Sequence, residues 1–106
     1  MADATRSAAE QNPEVNFAIV DFVYDPPLPN VLGLTFSTDK GAFLAGYLAA
    51  GMTKSCVVAT FGGIAFPTVE AYMFGFRNGV DYYNQQHATA VEVLQFLCMD
   101  CTVVET

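Results

Sequence analysis

The sequence predicts an α/β protein in which parallel strands are flanked by helices, and three observations carry that prediction. Between residues 34 and 76 the order is strand end, small-residue-rich helix, apolar strand, glycine turn and second helix, the repeating unit of a helix-covered parallel sheet. The strand-like runs FAIV and CVVATF are apolar at successive positions rather than alternating, as expected of strands covered on both faces. A proline then opens the longest helical pattern in the chain, the position at which a missing N–H costs least.

In chain order, residues 2–11 (ADATRSAAEQ) read as a short alanine-rich helix ended by Asn12-Pro13. Residues 15–22 (VNFAIVDF) form a strand with Asp21 at its carboxyl end, where a carboxylate either caps the turn or bonds ligand hydroxyls. Pro26, Pro27 and Pro29 keep the next stretch irregular, and residues 31–36 make a second short strand containing Gly33. A helix follows from Lys40, with Thr38 or Asp39 as N-cap. Its expected apolar stripe is Phe43, Leu44, Tyr47, Leu48 and Met52. Ala42, Ala45, Gly46, Ala49 and Ala50 widen the buried surface, and close packing on the sheet is the expected compensation for Gly46.

Residues 56–61 form the third strand, with Cys56 read as an inert buried thiol. Gly62-Gly63 supplies a tight strand-to-helix turn able to bring backbone amides close to a ligand. It is neither a dinucleotide fingerprint nor a P-loop, since the third glycine and the Gly-Lys-Ser/Thr run are absent. The helix opened by Pro67 runs to about Asn84, with Val69, Tyr72, Met73, Phe76, Val80 and Tyr83 on its inner face. His87 falls in the following loop as a surface residue, and residues 90–97 are the last strand.

Composition narrows the function classes. The chain has 106 residues and is 53% hydrophobic, enough for one small domain or a piece of a larger one. Four basic against eleven acidic residues give a net charge of −7, and no Lys/Arg cluster exists to neutralise phosphates, so nucleic acid is excluded as a partner. Apolar runs are short and broken by glycine, proline or charge, so no transmembrane span is expected. The first fifteen residues do not read as a signal peptide. Three cysteines are too few and too unevenly spaced for a disulfide framework.

Cys98-x-x-Cys101 has the spacing of a redox pair or half a zinc site. A redox pair should precede a helix, for which too little chain remains, and Cys56 with His87 does not form a second knuckle. No GxSxG, HExxH or paired-carboxylate pattern is present, so the chain is not expected to be an enzyme, and no metal or cofactor is expected.

The runs FAIVDF, TDKGAFLAGYLAAGMTKS and VVATFGGIAFPTVEAYMFGFRNGVDYYNQ resemble the basic membrane protein family of extracytoplasmic substrate-binding lipoproteins, akin to purine nucleoside receptors. The resemblance runs from Ala8 to Leu94. GAFLAG, a glycine pair with a following proline and FxxGFxxG are fairly specific in combination. It implies a partial periplasmic-binding-protein fold of type I, two Rossmann-like lobes with ligand held in a cleft, serving an ABC permease in the full-length protein. Residues 1–22 would end the first lobe, 23–36 would cross, and 37–106 would begin the second. Asp21 would bond ligand hydroxyls, with Gly62, Gly63 and Ile64 at the cleft edge. The ligand implied is a small solute of the purine nucleoside class, and the address implied is the outer face of the plasma membrane through a lipid anchor.

The family's lipoprotein signal, its aromatic stacking residues and its late Asp and Lys contacts have no counterpart in this sequence, and the ending from Gln95 departs from the family pattern. The chain is therefore expected to be a central fragment. Four strands in an open parallel sheet would leave an unpaired edge, which favours self-association. The competing readings are a non-catalytic α/β interaction domain without ligand and a thiol oxidoreductase using Cys98 and Cys101.

Overall fold

The computed structural model describes residues 1–97 and the strand at 102–104. Its elements are α1 (Ala2–Gln11), β1 (Phe17–Val20), β2 (Val31–Leu34), α2 (Thr38–Met52), β3 (Val57–Gly62), α3 (Pro67–His87), β4 (Glu92–Leu97) and β5 (Thr102–Val104). They fall into two compact units, Met1–Phe36 and Ser37–Thr106. The fold is α/β with parallel strand pairs flanked by helices. The strands do not form one sheet, however: β1 completes its ladder with β2, and β3 with β4.

In the first unit β1 and β2 run parallel, in register from Phe17 opposite Val31 to Val20 opposite Leu34. Helix α1 packs on β1, and Ala9, Ile19 and Tyr24 are buried. The helix ends where Asn12 turns back, its N–H and its Nδ2 both donating to the Ala8 carbonyl at 3.1 and 2.9 Å. Asn30 holds the unit together: its Nδ2 donates to the carbonyls of Ala9, Asn12 and Val15 at 3.0, 3.2 and 2.9 Å. One amide thereby satisfies acceptors that a helix end and the following turn would otherwise leave to water. Only one face of the strand pair is covered. Ala18, Val20, Leu32 and Leu34 are exposed, so the unbroken apolar run in β1 does not mean double coverage within the first unit.

In the second unit β3 and β4 are parallel, from Val57 opposite Glu92 to Gly62 opposite Leu97, and β5 adds antiparallel to β4. The sequence reading did not anticipate β5; three residues are too few for a periodicity signal. Helix α3 packs on β3 and β4. The core is Ala50, Val80 and Val91, with Val58, Phe76, Tyr83 and Val93 packed against it. Gln95, also buried, donates from Nε2 to the Met73 carbonyl at 3.1 Å and so ties strand to helix without an orphaned polar group.

Helix α2 buries small residues expected to widen its inner surface but not the large residues expected to form its apolar stripe. Ala42, Gly46 and Ala50 are buried, while Leu44, Leu48 and Met52 are 69%, 64% and 72% exposed. The partner surface explains this: α2 packs on α3 far more than on the sheet. The helices approach until backbone meets backbone, so that a Cβ on Gly46 would overlap the Phe76 carbonyl, one on Gly75 the Asp39 carbonyl and one on Gly79 the Phe43 carbonyl. Gly46 is therefore compensated by helix–helix rather than helix–sheet contact. On α3, Met73 and Val80 are buried as expected, whereas Tyr72 is exposed.

Element ends also shift. Ser37 occupies the N-cap position of α2, without a side-chain hydrogen bond. Helix α3 runs on through His87 to a left-handed C-cap at Ala88, so His87 is helical rather than in a loop. That end is organised by Asn84. Its Nδ2 donates to the Val91 carbonyl at 3.0 Å, and its Oδ1 accepts from the Val91 N–H at 2.9 Å and the Thr89 hydroxyl at 2.8 Å. The side-chain amide thus imitates a neighbouring strand and sets where β4 begins.

Candidate functional site

Each expected site residue lies at or just beyond the carboxyl end of a parallel strand. Asp21 directly follows β1. It is exposed and sits in the left-handed region, φ 58°, while its N–H still donates to the Leu34 carbonyl at 2.8 Å. Aspartate is among the few residues that tolerate this conformation, because its short polar side chain can bond locally. The ladder with β2 therefore continues through the Asp21 amide while the chain turns sharply away after it.

In the second unit Gly62 closes β3 and is buried, and Gly63 and Ile64 follow it exposed. A Cβ on Gly63 would meet nothing within 4 Å, so the turn at that residue is open to an approaching molecule. The Ile64 carbonyl accepts from the Phe66 N–H at 2.9 Å, and Phe66 is the N-cap residue of α3, with Pro67 in the first turn. Strand end, glycine turn and helix start are thereby compressed into a few residues, with the N-terminus of α3 only four residues after Gly63.

The second unit holds further chemistry-bearing residues. A groove of about 330 Å³ between α2 and α3 is lined by Asp39, Lys40, Phe43, Leu44, Gly75 and Asn78. In the sequence Asp39, Lys40, Phe43 and Leu44 read as the cap, start and stripe of a helix rather than as a site; a groove made by the close approach of two helices has no one-dimensional signal. His87 is exposed, with its Nε2 3.2 Å from the Tyr47 hydroxyl and its ring 4.3 Å from that of Tyr83. It belongs to an aromatic cluster on α2 and α3. Cys56 is exposed, not buried, with φ 57°, because it precedes β3 rather than opening it. Cys98 and Cys101 lie outside the described residues. Among the described residues no group of three or more His, Cys, Asp and Glu side chains is gathered to hold a metal ion. No described helix is long and apolar enough to cross a membrane.

Comparison with known proteins adds what geometry does not. A family model described as ABC transporter substrate-binding protein PnrA-like matches residues 1–97. Basic membrane protein A1 of Borrelia garinii subsp. bavariensis is 42% identical over 86 residues, which are 79% of this chain and 26% of that protein. Basic membrane protein A of Borreliella burgdorferi is 40% identical over 86 residues, 79% of this chain and 25% of the relative. Among solved structures, a crystal structure of an ABC transporter system solute-binding protein from Aeropyrum pernix K1 superposes with a TM-score of 0.75 at 27% identity, covering 84% of this chain and 26% of its own. This chain spans about a quarter of the length of the relatives it matches.

Proposed function

We propose, on the premise that this chain belongs to the PnrA-like family of ABC transporter substrate-binding proteins, that it carries part of the ligand-holding surface of an importer's receptor. The ligand is a small solute of the purine nucleoside class, the partner an ABC permease, and the address the outer face of the plasma membrane through a lipid anchor. Residues 1–22 and 37–106 belong to different lobes in this reading, with 23–36 as the connecting stretch.

The observation that carries the proposal is an exposed carboxylate, Asp21, at the carboxyl end of a parallel strand inside the segment that matches the family. In open α/β sheets small molecules bind outside the carboxyl ends of the strands, where the backbone has just been released from the ladder. A carboxylate there accepts from vicinal ribose hydroxyls, and Gly62, Gly63 and Ile64 offer amides and an apolar edge at the second strand end. The protein changes nothing chemically in this role.

Titration calorimetry of the folded, monodisperse chain with guanosine, adenosine and inosine tests the reading. Saturable heat, weakened about 10- to 100-fold by Asp21→Ala as expected for loss of a charged hydrogen bond, supports it. A folded chain that gives no heat with any of the three removes ligand binding from this chain.

A further inference from the structure

We infer that Tyr24 is a positioning residue for Asp21: it latches the loop after β1 so that Asp21 is held in its left-handed conformation at the strand end. The inference rests on the ligand role proposed for Asp21, but its structural half stands on separate observations within the first unit.

The chain must reverse just after Asp21. The Asp21 N–H is bonded to the Leu34 carbonyl, the last rung of the β1–β2 ladder, yet the next residue already lies back over Gly33. A Cβ on Gly33 would be 2.5 Å from the Phe22 carbonyl oxygen and 3.0 Å from Val23 Cγ2, so the returning chain crosses β2 where no side chain stands in its way. Stepping from the Leu34 level to the Gly33 level within one residue is what the positive φ at Asp21 achieves.

Tyr24 holds the returning chain down. Its side chain is buried at 6% exposure, in a loop whose neighbours Phe22, Val23 and Asp25 are exposed. The Tyr24 hydroxyl donates to the Ala2 carbonyl in the first turn of α1. Its ring meets the edge of Phe22 at 4.9 Å between centroids, and the Arg6 guanidinium stands 5.2 Å over it. The loop is therefore tied to α1 by a hydrogen bond and a cation–π contact through one side chain, while the Phe22 ring braces that side chain from within the loop. Released from that anchor, Asp21 has no reason to keep a conformation that ordinary L-residues avoid, and its carboxylate loses a defined direction.

The test uses the isotopically labelled full chain. A positive φ brings a residue's own amide proton and Hα unusually close, so Asp21 should show a strong intraresidue contact in nuclear Overhauser spectra. Tyr24→Phe, which keeps the ring and removes the bond to Ala2, should weaken that signal, and Tyr24→Leu should abolish it. The contacts between β1 and β2, Phe17 to Val31 and Ile19 to Gly33, should persist in Tyr24→Phe. A wild-type Asp21 without the signal overturns the latch, and so does a Tyr24→Phe chain that keeps it at full strength. Adding guanosine separates the two layers of the argument. Shifts at Asp21 in the wild type that shrink in Tyr24→Phe support positioning for a ligand, whereas an intact latch signal with no response to guanosine sinks the ligand role alone.

Discussion

Replacing Gly46 with alanine should destabilise the second unit although alanine is the better helix former. The added Cβ would overlap the Phe76 carbonyl oxygen and lie 2.7 Å from its carbon and 3.0 Å from Phe76 Cα. All three atoms belong to the α3 backbone and cannot rotate aside. Bringing the carbonyl carbon alone back to an ordinary 3.4 Å requires the helices to part by about 0.7 Å, and the nearer oxygen requires more; a gap of about 0.5–1 Å already forfeits a quarter to a half of the dispersion energy of every contact it opens. Overpacking of this kind costs about 3 kcal/mol at the upper end of its usual range. The gain in helix propensity returns about 1 kcal/mol, leaving a net loss of about 2 kcal/mol.

Gly41 on the same helix supplies the control, since a Cβ there meets nothing within 4 Å. Gly41→Ala should stabilise by about 1 kcal/mol from propensity alone. Urea unfolding followed by far-ultraviolet circular dichroism should therefore separate the two variants by about 3 kcal/mol. Gly46→Ala matching Gly41→Ala within about 0.5 kcal/mol would refute the close-packed interface. Gly46→Ala combined with Gly79→Ala should cost less than the two singly, because one separation of the helices relieves both overlaps.

Three further outcomes are expected. Asn84→Ala strips the Val91 backbone of both its partners and the Thr89 hydroxyl of its acceptor, and should cost about 2–3 kcal/mol in the same unfolding assay. Asn30→Asp sets a carboxylate against three carbonyls that now receive a donor, at a cost of about 3 kcal/mol or more; faster hydrogen exchange at the Phe17 amide, which donates to the Asn30 carbonyl, would report it. Ala88→Gly relieves the left-handed C-cap of α3, φ 52°, and should stabilise by about 0.5–1 kcal/mol, read as a rise in the urea midpoint.

The candidate site was legible in part. The carboxyl ends of apolar strands can be read from one dimension, and that places Asp21 and Gly62 to Ile64 at strand ends from the sequence alone. Their local state was not. The left-handed turn at Asp21 depends on the bond to Leu34 and the passage over Gly33, and Tyr24 matters because it reaches Ala2, a residue far away in sequence. Cys56 was misjudged for the same reason: composition makes a cysteine beside an apolar strand look buried, whereas the backbone turns it outward.

The sequence by itself determined the order of helices and strands from α1 to β4, the α/β class and the family, since each rests on signals carried within a few consecutive residues: the proline opening α3, the apolar runs of β1 and β3, and the glycine spacing in GAFLAG and FxxGFxxG. Only the tertiary structure decided which side of α2 faces inward. Periodicity reads Phe43, Leu44, Tyr47, Leu48 and Met52 as the stripe with Ala42, Gly46 and Ala50 widening it, whereas the structure buries the three small residues and leaves Leu44, Leu48 and Met52 exposed. The small residues are buried because each close approach sets a glycine of one helix against the backbone of the other, Gly46 on Phe76, Gly75 on Asp39 and Gly79 on Phe43, and a Cβ at any of the three glycines would block it.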